Sequence, residues 1–90
     1  MPNAIHVDAN VILRLLLGEP EGQARAAEAL FARAAQGEFL IRIHPAVLAE
    51  VVYVLTSPRL AAIPRTRVAG VLRSLCTLEG VEVADLEPTL

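Results

Sequence analysis

The chain is predicted to adopt an α/β fold, a parallel sheet with helices on both faces, in the order βααβααβ. Two observations carry this. Three short apolar runs, at 4–7, 39–43 and 81–85, have the length of strands, and segments of helical composition and period separate them. Proline or glycine stands at most of the joints, as Gly18, Gly37, Pro45, Pro58, Pro64 and Gly80. Strands joined through helices lie parallel, because a parallel pair needs a long crossover, and such crossovers are right-handed.

Residues 4–7 are expected to form a buried strand with Asp8 at its C-terminal end. Asn10 is expected to cap a helix running to Leu17, which Gly18 stops. Residues 19–22 suit a turn. A second helix is expected over 23–36, where Ala26, Ala27, Leu30, Phe31 and Ala34 recur at spacings of three and four. A second strand follows at 39–43. His44-Pro45 marks a boundary, with proline suited to a helix's first turn. The third helix, 46–56, is apolar all round and so expected to be largely buried. Ser57-Pro58 breaks it. Pro64 opens a fourth helix over 65–78, with Val68, Val71, Leu72 and Leu75 on one face. The alternation at 81–85 predicts a third strand with one exposed face. Leu86-Glu87-Pro88 reads as a turn into another helix, and the sequence ends two residues later. A domain truncated at this point is the expectation.

Ninety residues allow one domain, here 1–90. Apolar residues make up 54% of the chain and only three are aromatic, which describes an aliphatic core and not a disordered tail. A mean hydropathy of +0.51 points to apolar surface awaiting a partner. No apolar run is long enough to span a membrane, and the first residues lack a signal-peptide layout. With a single cysteine, Cys76, no internal disulfide can form. A cytoplasmic setting is expected, with Cys76 a small core residue.

The net charge of −2 does not announce nucleic-acid binding, but its distribution is uneven. All eight basic residues are arginine, and Arg59, Arg65, Arg67 and Arg73 lie between Glu50 and Glu79 with no acid among them. They are either the solvated side of a helix or candidate phosphate contacts, for which the planar guanidinium is suited.

Asp8 and Glu50 are the acids in the most apolar local sequence. A carboxylate in apolar surroundings needs hydrogen bonds, a cation or protonation. Asp8 alone suits an N-cap. Glu50 has Ala46, Val47, Tyr53 and Val54 at helical spacing, which leaves an arginine from elsewhere or a divalent cation as its partner. In parallel sheets, ligands gather beyond the strands' C-terminal ends. Asp8 follows strand one and Glu50 lies on the helix after strand two, so both fall on that side. His6 and His44 are too few for a zinc site, Ser57 and Ser74 lack a nucleophile elbow, and no glycine-rich phosphate loop is present.

The run Val7-Asp8-Ala9-Asn10-Val11-Ile12-Leu13-Arg14-Leu15-Leu16 resembles the opening D-x-N strand and helix of PIN domains. Ala49-Glu50-Val51-Val52-Tyr53-Val54-Leu55, after His44-Pro45, resembles their second acidic motif, and the likeness is greatest to VapC-type toxins of toxin–antitoxin systems. It implies a Mg²⁺- or Mn²⁺-dependent endoribonuclease acting on single-stranded RNA, on a parallel α/β/α sheet. Asp8 and Glu50 would be catalytic metal ligands, and Asn10 would support them by hydrogen bonding. The family's further acids lie beyond a fourth strand, past this chain's end. Asp85 and Glu87 are not substitutes for them. The resemblance therefore implies C-terminal strands missing, a chain inactive alone, and an open edge on strand one. Self-association into a homodimer through that edge or apolar helix surface is expected, and an antitoxin is a further partner. The alternative is a non-catalytic remnant or interaction module. A receiver-type phosphoacceptor domain fits less well, since no acidic cluster stands near the chain's start.

Overall fold

The computed structural model describes residues 3–84. Its elements are β1 (Ala4–His6), α1 (Ala9–Leu17), α2 (Glu21–Ala35), β2 (Leu40–Ile43), α3 (Pro45–Thr56), α4 (Arg65–Cys76) and β3 (Val81–Val83). This is the expected βααβααβ order on a parallel sheet. The strand order is β1-β2-β3, with Ile5 paired to Ile41 and Ile43 to Val83. Among the described residues β1 has one neighbour, β2, and its other edge is open.

The central strand sets the core. Along β2, Ile41 and Ile43 are fully buried, whereas Leu40 and Arg42 are half-buried. Burying an isoleucine is worth about 2–3 kcal/mol. Around them pack Val7 and Ile12 from the first βα unit, Phe31 and Ala34 from α2, Val51 and Leu55 from α3, and Val68 and Leu75 from α4. Helix α2 lies against β2 and β3, while α3 sits between α1 and α4. No polar or charged side chain is buried among the described residues.

Local chemistry explains most boundaries. Gly18 ends α1 in the left-handed conformation, φ 73°, and its N–H donates to the Arg14 carbonyl at 3.0 Å. Helix α2 starts inside the expected turn, at Glu21. Pro20 holds an extended φ of −65° just before it, and an acid in the first turn suits the helix dipole. Helix α4 stops at Cys76, two residues short of expectation, and the Thr77 hydroxyl at its end donates to the carbonyls of Arg73 and Ser74. Gly80 then turns with φ 85°, and a Cβ there would run into the Ala34 carbonyl, so this position demands glycine. Across the sheet, Arg42 and Glu82 are register partners and pair at 2.5 Å.

One expectation about helix burial is corrected. Helix α3 is not buried all round: Ala46, Ala49, Glu50 and Tyr53 form an exposed stripe at spacings of three and four, and only Val51 and Leu55 are fully enclosed. The neighbouring elements cover only part of this helix. On α4, Val71 is exposed although Val68 and Leu75 are buried. The third strand ends at Val83. Asp85, Glu87 and the helix start at Pro88 lie outside the described residues.

Candidate functional site

Asp8 follows β1 with extended backbone, φ −92° and ψ 175°, and its Oδ1 accepts from the Val11 N–H at 3.1 Å. It is therefore the N-cap of α1, the position expected for Asn10. Asn10 sits in the helix's first turn and is exposed. Aspartate wins because the helix begins directly at the strand end, two residues earlier than expected, and its carboxylate reaches the orphan amide three residues on. Only one of its oxygens is engaged in this bond.

Glu50 stands halfway along α3, on the exposed stripe. Asp8 is exposed as well. Both carboxylates are thus hydrated, and the expectation that they sit in apolar surroundings is overturned. The apolar neighbours of Glu50 in sequence turn inward on the helix, and the acid turns outward. What joins the two acids is position. Each lies on the element that leaves the C-terminal end of a strand, β1 and β2 are adjacent and parallel, and α1 packs on α3.

A pair of histidines occupies the same rim. His6 ends β1 and His44 follows β2. Their rings stack with centroids 4.9 Å apart and planes 14° apart, and His44 Nε2 lies 3.0 Å from His6 Nδ1. One ring donates and the other accepts, according to tautomer. The signal for this pairing was present in the sequence: both histidines stand at C-terminal ends of strands that the fold class makes parallel neighbours. Judged singly, neither had a ligand-spaced partner.

The four arginines do not form one cluster. Arg59 and Arg65 line a cleft of about 870 Å³ beyond the end of α3, together with Tyr53, Thr56 and Ser57. Arg67 lines a separate, largely apolar cleft with Leu16, Leu17 and Val71. Arg73 lies in the last turn of α4. Among the described residues none of the four is ion-paired, whereas Arg25, Arg33 and Arg42 each hold a glutamate. Cys76 is half-buried, and burial pushes its thiol up, as befits a packing residue.

Asp8 and Glu50 each expose hard carboxylate oxygens, on segments that follow adjacent parallel strands. Among the described residues no group of three or more histidine, cysteine or acidic side chains is placed to hold a metal. Two carboxylates completed by water suit Mg²⁺ or Mn²⁺, which keep several waters. No helix among the described residues is long and apolar enough to cross a membrane.

A family model described as PIN domain matches residues 5–89. No curated protein and no solved structure matches the chain.

Proposed function

As this chain belongs to the PIN domain family, whose members have a nuclease-type function, we propose that it acts as a VapC-type endoribonuclease on single-stranded RNA. The observation that supports this reading is that Asp8 follows β1 and Glu50 lies on the helix that follows β2, the adjacent parallel strand. Both are exposed, and one Asp8 oxygen is outside the cap bond.

Asp8 and Glu50 would hold Mg²⁺ or Mn²⁺, which when bound supplies a Lewis acid and an activated water for phosphodiester hydrolysis. Asn10, in the first turn of α1, would support the carboxylates by hydrogen bonding, as the family resemblance implies. The Val11 N–H engages one Asp8 oxygen and leaves the other for a cation. Arg59, Arg65, Arg67 and Arg73 contact RNA phosphate. The open edge of β1 and the exposed apolar residues of α1 and α4 are the surfaces for a second copy or an antitoxin. The setting is cytoplasmic.

A competing reading has one observation in its favour. The absence of a three-residue metal cluster among the described residues suits a non-catalytic interaction module. Calorimetric titration with Mn²⁺ separates the two. Weak binding lost in both Asp8→Asn and Glu50→Gln supports the nuclease, and no heat in the wild type supports the module.

A further inference from the structure

The cleft beyond the end of α3 combines features that no core requirement explains. Tyr53 is the chain's only tyrosine and is 69% exposed, the most of the large apolar side chains among the described residues. Arg59 and Arg65 line the same cleft, and among the described residues no acid lines it. The loop that carries Arg59 is pinned. The Ser57 carbonyl accepts from both Leu60 and Ala62, and the Ile63 N–H donates to the Leu55 carbonyl at 2.7 Å. Ala62 is held there at φ 53°, a conformation that non-glycine residues rarely adopt and that persists where surrounding bonds enforce it. So the two guanidinium groups are presented from a fixed frame beside an exposed aromatic ring. Glu50 lies three residues before Tyr53 on the same exposed stripe, about 4.5 Å along the helix axis.

We propose that this cleft is a nucleotide-seating subsite, in which Tyr53 stacks one base of a single-stranded RNA while Arg59 and Arg65 hold the adjoining phosphates. It rests on the nuclease reading and deepens it by naming how the strand is placed beside Glu50. An aromatic face accepts any base, and flanking arginines supply the charge that a phosphate backbone needs. The subsite would therefore favour single strands, whose bases are free to unstack, with little preference among sequences. Its chemistry fits RNA better than a protein surface, because the polar side chains that line it with Tyr53 are the guanidinium groups of Arg59 and Arg65 and the hydroxyls of Thr56 and Ser57.

The chain offers its own probe. With one tyrosine and no tryptophan, its emission reports Tyr53 alone. The 90-residue protein is titrated in metal-free buffer with a short single-stranded RNA of mixed sequence. Tyrosine emission is followed, and the anisotropy of a dye-labelled copy of the RNA is measured in parallel. Quenching that saturates together with the anisotropy is expected. Tyr53→Ala should weaken binding about tenfold, Tyr53→Phe should restore it, and Arg59→Ala with Arg65→Ala should weaken it and flatten its salt dependence. Circular dichroism checks each variant's fold. RNA binding that leaves tyrosine emission unchanged, or a Tyr53→Ala variant that binds as the wild type, overturns the subsite and leaves the nuclease reading standing. Absence of any RNA binding also overturns the subsite, and the nuclease reading is then judged by the Mn²⁺ titration alone. A change of oligomeric state in Tyr53→Ala without RNA, seen by light scattering, would assign the cleft to a protein contact instead.

Discussion

Ile43 and His44 are consecutive, yet they belong to two differently built regions. Ile43 is fully buried between helices, and nothing about it is negotiable without loss of packing. His44, one residue on, is exposed and stacked on His6. The interior is purely apolar, with no buried polar side chain among the described residues. The candidate chemistry lies on exposed surface, at the strand-end rim, along α3 and in the cleft beyond it. Stability and chemistry are therefore separable here to an unusual degree. Changes at the rim should alter binding with little effect on folding, and changes inside should do the reverse.

The largest test of that separation is Ile12→Ala. Ile12 is wholly enclosed, and truncation should cost about 4 kcal/mol, much of the stability of so small a domain, as read from urea unfolding. Gly80→Ala comes next. A Cβ meets the Ala34 backbone and the positive φ is retained, so about 3 kcal/mol is expected in the same measurement.

Asp8 sharpens the comparison because it serves both regions. Asp8→Ala should cost about 1 kcal/mol by loss of the cap, whereas Asp8→Asn should stay within about 0.5 kcal/mol, since asparagine caps as well as aspartate. If Asp8 is a metal ligand, both variants lose Mn²⁺ binding. A variant with intact stability and lost metal affinity is the outcome that distinguishes ligand from cap. Arg42→Ala should cost about 0.5 kcal/mol or less. Its pair with Glu82 is more than a third exposed, and solvent screens it.

The smallest effect concerns Cys76. Burial raises its pKa above the ordinary 9.0, so the thiolate forms at higher pH in the folded chain than in the unfolded one. Stability from this group is complete below the unfolded value and declines as pH rises through the folded value. Alkylation of Cys76 should accordingly be slower in native buffer than in denaturant at the same pH.

Legibility in the sequence followed the same divide. Strand and helix order, Gly18 as a stop and Pro45 as a helix start were readable because they depend on residues a few positions apart. The outward turn of Glu50 was not readable. An all-apolar helix looks buried on every side until the number of neighbours covering it is known, and here they leave the Ala46, Ala49, Glu50 and Tyr53 stripe open. The His6 and His44 stack spans 38 residues and exists only because β1 and β2 are adjacent. The grouping of Arg59 and Arg65 apart from Arg67 and Arg73 likewise depends on how the loop after α3 is folded back by the Ser57 carbonyl.

By itself, then, the amino-acid sequence determined the α/β class, the element order, and the places of Asp8 after the first strand and Glu50 on the helix after the second, because periodicity, caps and breakers act over a single turn or strand. Only the tertiary structure decided which faces are wet. That depends on how many elements pack against a helix, and on which strand ends meet at the rim.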